Sequence, residues 1–229
     1  MIALIDYGAG NVRSVHKALE TVGAEVRLTR SSDVILTADK IVLPGVGAFG
    51  DCMAGLRRAG LVDPLYHAVE QGKPLLGICV GMQVLFEEGE ENGAASLPSE
   101  PMGRHTGLGL LPGRVIRFDF SHLPPQEGLR LKIPHTGWNQ IEPVRPSPLL
   151  HGLSRVWRRF ATRYDGCWTY FNHAYYCQAR AEHTFAVTDY GGPFASVVGR
   201  ESVYGVQFHP EKSQEAGLHI LQNFVERVR

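Results

Sequence analysis

The chain is poor in cysteine and has no closely spaced pair. Cys52, Cys79, Cys167 and Cys177 are its four, and none stands in a Cys-x-x-Cys arrangement. That argues against a zinc site, and neither a metal nor a cofactor is expected. So low a number suits a reducing cytosol, where a catalytic thiol survives, so a cytoplasmic protein without disulfides is expected. Excess charge of one sign is also missing: 23 Lys and Arg balance 23 Asp and Glu. Nothing therefore points to nucleic acid or an anionic membrane as a partner. The start, Met1 to Asp6, lacks a basic region and is too short for a signal peptide. No apolar run is long enough to span a bilayer. There is no internal repeat.

What is present is a chain of 229 residues, 44% of them hydrophobic. One medium domain over residues 1–229 is expected, with a core of its own. Ile2 to Ile5 reads as a buried strand, followed by a Gly-rich turn with Asn11 as N-cap. Val12, Val15, Leu19 and Val22 recur at helical spacing, and Gly23 closes that helix. Glu25 to Leu28 and Lys40 to Leu43 read as strands two and three. Asp63-Pro64 supplies a cap and first residue for a helix ending near Gly72. Leu75 to Ile78 is a further strand, with a helix after it through Val84, Leu85 and Phe86. This order predicts an α/β fold, a mostly parallel sheet with helices on both faces. Residues 87–106 read as a polar surface excursion. Gly107 to Phe118, and Leu131 to Ile141 with a kink at Pro134 and Gly137, return to β character. The run from Leu150 to Cys167 is rich in arginine and reads as a solvated face, an added helix or an interface extension. Phe185 to Val198 reads as a hairpin about Gly191-Gly192-Pro193. Leu218, Leu221, Phe224 and Val228 fall on one face of a closing helix.

Two stretches carry chemistry. In Gly77-Ile78-Cys79-Val80-Gly81 the cysteine sits between glycines at a strand-to-helix turn. Glycine suits a bend where a side chain would collide with backbone or where φ must be positive. Such a turn lifts a nucleophile above the end of a parallel sheet, and the helix N-terminus favours a thiolate. An isolated cysteine in an apolar run is more commonly a buried structural residue. The second stretch, Ser202 to Glu211, is β-rich and ends at Pro210, which places His209 at a strand end. Glu211 can turn back towards the imidazole. Cysteine, base and orienting carboxylate form the general triad that activates a nucleophile. The turn Gly45-Val46-Gly47 offers peptide N–H groups for an oxyanion, or is an ordinary strand-end turn.

Gly77 to Gln83 together with His209-Pro210-Glu211 resembles the triad-type, class I, glutamine amidotransferases. Ile5 to Asn11, Leu43 to Phe49, Gly107 to Gly113, Pro134 to Asn139 and Glu211 to Gln214 resemble, within them, the glutaminase subunits of imidazole glycerol phosphate synthase. The match spans nearly the whole chain. It implies a single-domain, flavodoxin-like α/β fold with added antiparallel strands. It implies hydrolysis of L-glutamine by Cys79, His209 and Glu211, with an oxyanion hole from Val46, Gly47 and Val80. Gln83 and Tyr175 would then contact substrate. The partner implied is the cyclase subunit, a β/α barrel using the ammonia to make imidazole glycerol phosphate and AICAR in histidine biosynthesis. Asn11, Trp138 and Lys212 match positions at that interface. Ala174 departs from the pattern, standing where the family has serine, so only its backbone is left to bind substrate. The rivals are a glutaminase feeding another synthase, a binding subunit with a vestigial triad, and a cysteine peptidase or γ-glutamyl hydrolase.

Overall fold

The computed structural model describes residues 1–8, 10–93, 104–122, 131–153 and 167–229. Its largest element is a nine-stranded sheet, ordered β2-β1-β3-β4-β13-β12-β11-β8-β9. The first half is parallel: β2 (Val26–Thr29), β1 (Ile2–Ile5), β3 (Lys40–Gly45), β4 (Leu75–Cys79) and β13 (Val203–Val206). Every residue of β1, β4 and β13 is buried. Strands covered on both faces read as continuous apolar runs, which is why these were legible. The second half is antiparallel: β12 (Pro193–Arg200), β11 (Thr184–Asp189), β8 (His135–Pro143) and β9 (Cys167–His173). A smaller sheet takes β10 (Tyr175–Ala179), β7 (Leu111–Arg117), β5 (Phe86–Gly89) and β6 (His105–Thr106), in that order.

The α-helices among the described residues are α1 (Val12–Thr21), α2 (Ser32–Thr37), α3 (Phe49–Arg58), α4 (Val62–Glu70), α5 (Val80–Gln83) and α6 (Gln214–Arg227). Helix α1 packs on α6, and α2 on α4. The Lys40 ammonium, at the start of β3, donates to the carbonyls of Phe224, Val225 and Val228 at the end of α6. A cation there satisfies carbonyls that the helix leaves unpaired and complements its dipole. No helix among the described residues is long and apolar enough to cross a membrane.

Several local expectations are corrected. The helix after Cys79 is a single turn ending at Gln83, and Phe86 already begins β5. Helix α4 starts one residue before Asp63, with Leu61 at the cap position. Asn11 does stand at the N-cap of α1, but its side chain makes no capping bond. The chain breaks at Ala174 and passes from β9 in one sheet to β10 in the other. The expected surface excursion contains β5 and β6, while residues 94–103 lie outside the described residues. Most of the arginine-rich run, residues 154–166, lies outside them too. Helix α3 went unread because Gly50 and Gly55 lower its propensity. Gly55 is there for packing: a Cβ would sit 2.8 Å from the Tyr7 ring.

Candidate active site

The parallel register delivers the two chemical stretches to one place. Gly45 pairs with Cys79 across β3 and β4, and Val206 with Ile78 across β13 and β4. Cys79 and His209 therefore leave neighbouring strands at their carboxyl ends, where open α/β sheets form their sites.

Cys79 itself carries the strain of the turn, with φ 56° and ψ −115°. It has a side chain in the region that favours glycine. The flanking glycines are needed for room rather than for φ. A Cβ on Gly77 would lie 2.5 Å from the Gly81 carbonyl oxygen, and one on Gly81 would lie 1.9 Å from that of Leu43. Gly45 is equally confined, 2.3 Å from the Gly81 nitrogen. The nucleophile turn is thus pressed against the end of β3. Val80 opens the one-turn helix, where its N–H has no intrahelical acceptor.

Cys79, His209 and the Glu211 side chain are all buried. His209 Nδ1 lies 2.9 Å from Glu211 Oε1, which leaves Nε2 for the sulfur. Its backbone is clamped by Ser213. The His209 N–H donates to the Tyr170 carbonyl, the Ser213 hydroxyl donates to the His209 carbonyl, and the Tyr170 N–H donates to Ser213 Oγ. Burial opposes a charged ring at His209, but the hydrogen bonds and charges of Cys79 and Glu211 outweigh it and raise its pKa from 6.5 to about 10. Because the folded value lies above the unfolded one, this contact stabilises the fold fully below pH 6.5. That contribution is lost as pH rises through 10. Glu211→Gln is expected to return the ring towards 6.5. An NMR titration of the His209 ring checks this, and an unmoved midpoint would show that Glu211 does not hold the charge.

Beside the triad is a cavity of about 330 Å³ lined by Val46, Gly47, Cys79, Val80, Gln83 and Tyr175, with His209 and Lys212 at its wall. Two buried groups grip the loop of Pro44 to Gly47. The Tyr7 hydroxyl donates to the Pro44 carbonyl at 2.8 Å, and the Cys52 thiol to that of Val46 at 3.5 Å. Burial pushes the Cys52 thiol up to about 12, so it stays a protonated donor. Gln83 is buried, with Nε2 donating to the Tyr175 carbonyl and to Gln207 Oε1. Its Oε1 is buried without a partner.

Sequence reasoning missed Glu91, which also lines the cavity. Its Oε2 accepts the Phe49 N–H at the start of α3, and burial raises its pKa. It sits in a polar segment with no motif, so nothing local marked it. Away from the cavity, Trp138 is 43% exposed and packs edge-on to Tyr170, whose ring lies under the Lys212 ammonium. Trp138, Tyr170 and Lys212 form one surface continuous with the cavity wall. Asn11 does not line the cavity. It starts α1, which packs on the turn Pro210–Lys212.

The model of the family "Glutamine amidotransferase class-I" matches residues 3–228. The chain is 47% identical over 225 residues to the imidazole glycerol phosphate synthase subunit HisH of Syntrophotalea carbinolica, covering 98% of each. It is 48% identical over 226 residues to that of Salinibacter ruber, covering 98% of this chain and 93% of the other. Among solved structures it resembles PurLQS of Thermotoga maritima, with a TM-score of 0.66 and 18% identity, covering 100% of this chain and 98% of that one. That last likeness speaks for the fold alone. With a family model matched almost end to end, and relatives nearly half identical over the same span, the chain belongs to the class I glutamine amidotransferases.

Proposed function

We propose that this chain is the glutaminase subunit of an imidazole glycerol phosphate synthase, acting in the cytoplasm as one domain. It hydrolyses L-glutamine and passes the ammonia to a cyclase partner in histidine biosynthesis. The observation that carries the chemistry is the convergence of Cys79, His209 and Glu211 beside a cavity with room for one amino acid. The full-length likeness to HisH subunits carries the choice of partner.

In this reading the Cys79 thiolate attacks the side-chain amide carbon of glutamine. The oxyanion rests on the Val80 N–H and on one from Val46 or Gly47, each worth about 3 kcal/mol. The protonated His209 ring gives its proton to the nitrogen as the C–N bond breaks, and ammonia leaves. Acylation removes the charge on sulfur that helped hold that proton, so the ring becomes a neutral base. It then takes a proton from the water that attacks the thioester. The C–S bond breaks, glutamate leaves, and the thiolate again faces a protonated ring. Glu211 keeps Nε2 directed at these atoms throughout.

Gln83 Oε1 is an acceptor with no donor in the folded chain, and the polar end of glutamine supplies one. Tyr175 forms the facing wall, where Ala174 leaves no hydroxyl to help. The Glu91 carboxylate is the charge complementary to the substrate ammonium. Glu91→Gln is expected to raise KM for glutamine about tenfold with kcat nearly unchanged, the size of one charge-assisted hydrogen bond. An unaltered KM would remove Glu91 from the substrate site.

Ammonia released into bulk water would be protonated and diluted, so a partner that receives it directly is required. Trp138, Lys212 and Asn11 are the proposed contact residues, the exposed tryptophan serving as anchor. The test is glutamate release by the chain alone, with cyclase, and with cyclase plus its nucleotide substrate. No release in any of the three, or no association with cyclase in a sizing run, would sink the assignment.

A further inference from the structure

The triad leaves a buried amide at the reaction centre unused. Gln207 follows β13 directly, is fully buried, and stands two residues before His209. Its Nε2 lies 3.9 Å from the Cys79 sulfur. We propose that Gln207 is a further catalytic residue: its N–H donates to the Cys79 sulfur, and its amide is held in the donating orientation by Gln83, whose NH₂ group is set by the Tyr175 carbonyl. The inference rests on the glutaminase reading above and adds a residue to it.

The direction of the hydrogen bonds around that carbonyl is forced at every link. The Tyr175 carbonyl can only accept, and it accepts from His173 Nδ1 at 2.8 Å. Burial holds the His173 ring neutral, its pKa lowered to about 3, so Nε2 carries a lone pair. That lone pair faces His135 Nδ1 at 3.3 Å, which must therefore bear the proton. His135 is neutral for the same reason, lowered to about 4, and its Nε2 accepts from Asn139 Nδ2 at 3.3 Å. On the other side of the Tyr175 carbonyl, Gln83 Nε2 donates to it at 2.9 Å and to Gln207 Oε1 at 3.1 Å. Both of its hydrogens are then used. With its oxygen tied to Gln83, Gln207 has only its NH₂ group to present to sulfur.

The donor acts wherever charge sits on sulfur. It stabilises the thiolate before attack, and it stabilises the same thiolate as it departs from the glutamyl thioester. The geometry also explains the burial of Gln83. Its nitrogen sets Gln207, and its free oxygen is left for substrate.

The test uses the chain in complex with cyclase. Gln207→Met keeps the volume and removes the donor. It is expected to slow alkylation of Cys79 by iodoacetamide at neutral pH about tenfold, with a kcat loss of similar size, as for loss of one hydrogen bond to an ion. Gln83→Met, which does not touch sulfur, is expected to slow the same alkylation several-fold because the Gln207 amide is released. Alkylation by Gln207→Met within about twofold of the unmutated rate would overturn the proposal. Should that variant not fold, the unmutated protein decides. The side-chain amide resonance of Gln207 must shift when methyl methanethiosulfonate caps Cys79, and an unmoved resonance overturns the proposal equally. Unmutated protein whose Cys79 alkylates normally but which releases no glutamate would sink the glutaminase reading and leave this sulfur contact standing.

Discussion

Cys79→Ala is expected to lower cyclase-stimulated glutamate release about a million-fold, the scale found when a core triad member is removed. Neither neighbouring cysteine can replace it. Cys52 and Cys177 are also close to the sulfur, but burial drives both thiols well above the usual range, Cys52 to about 12. Neither is a thiolate at neutral pH. The loss should fall on kcat, because the proposed glutamine contacts at Gln83 and Glu91 remain. Association with cyclase should be unchanged, since the Trp138 and Lys212 surface is untouched. Turnover retained within about tenfold would end the account of Cys79 as nucleophile.

Gly81→Ala is expected to have the largest effect on stability. Its Cβ would lie 1.9 Å from the Leu43 carbonyl oxygen, and that oxygen belongs to the middle of the sheet. Backbone cannot yield as a flexible side-chain tip does. Either β3 and β4 separate or the turn at Cys79 moves outward, and both break contacts in the buried core. A cost of about 3–4 kcal/mol, or a melting point lower by roughly 10 °C, is expected for overpacking of this severity. Activity should fall further than stability, because the turn positions both the sulfur and the Val80 N–H. A melting scan and a glutaminase assay on the same preparation test this. A variant that melts normally and works normally would mean that the turn is not confined as described. Gly77→Ala meets the Gly81 carbonyl at 2.5 Å and should behave alike.

Much of this was readable in the chain itself. The continuous apolar runs at Ile2–Ile5, Leu75–Cys79 and Val203–Val206 announce strands buried on both faces. Cys79 between glycines and His209 before Pro210-Glu211 are local patterns, and local geometry is enough to suggest their roles. Other features depended on neighbours distant in sequence. The burial of Gln83 is not visible in its own segment, because the carbonyl that holds it lies 92 residues away. Gln207 lies within the Ser202 to Glu211 stretch, yet its proposed role depends on a sulfur 128 residues away. Glu91 has no motif at all. The break at Ala174, which sends one strand to each sheet, left no signal that a strand pattern could register.

The residues alone pointed to the reacting groups, to a mostly parallel sheet that bears them and to the family that the pattern resembles. The first two follow from turn chemistry and hydrophobic runs, which are short-range properties, and the family follows from the resemblance carried by Gly77–Gln83 and His209–Glu211. Only the tertiary structure decided that the glycines around Cys79 are there for backbone clearance rather than for φ. It alone also decided which way each buried amide and imidazole points. A buried donor must find an acceptor, and which one lies within reach is settled by packing between segments that the sequence keeps far apart.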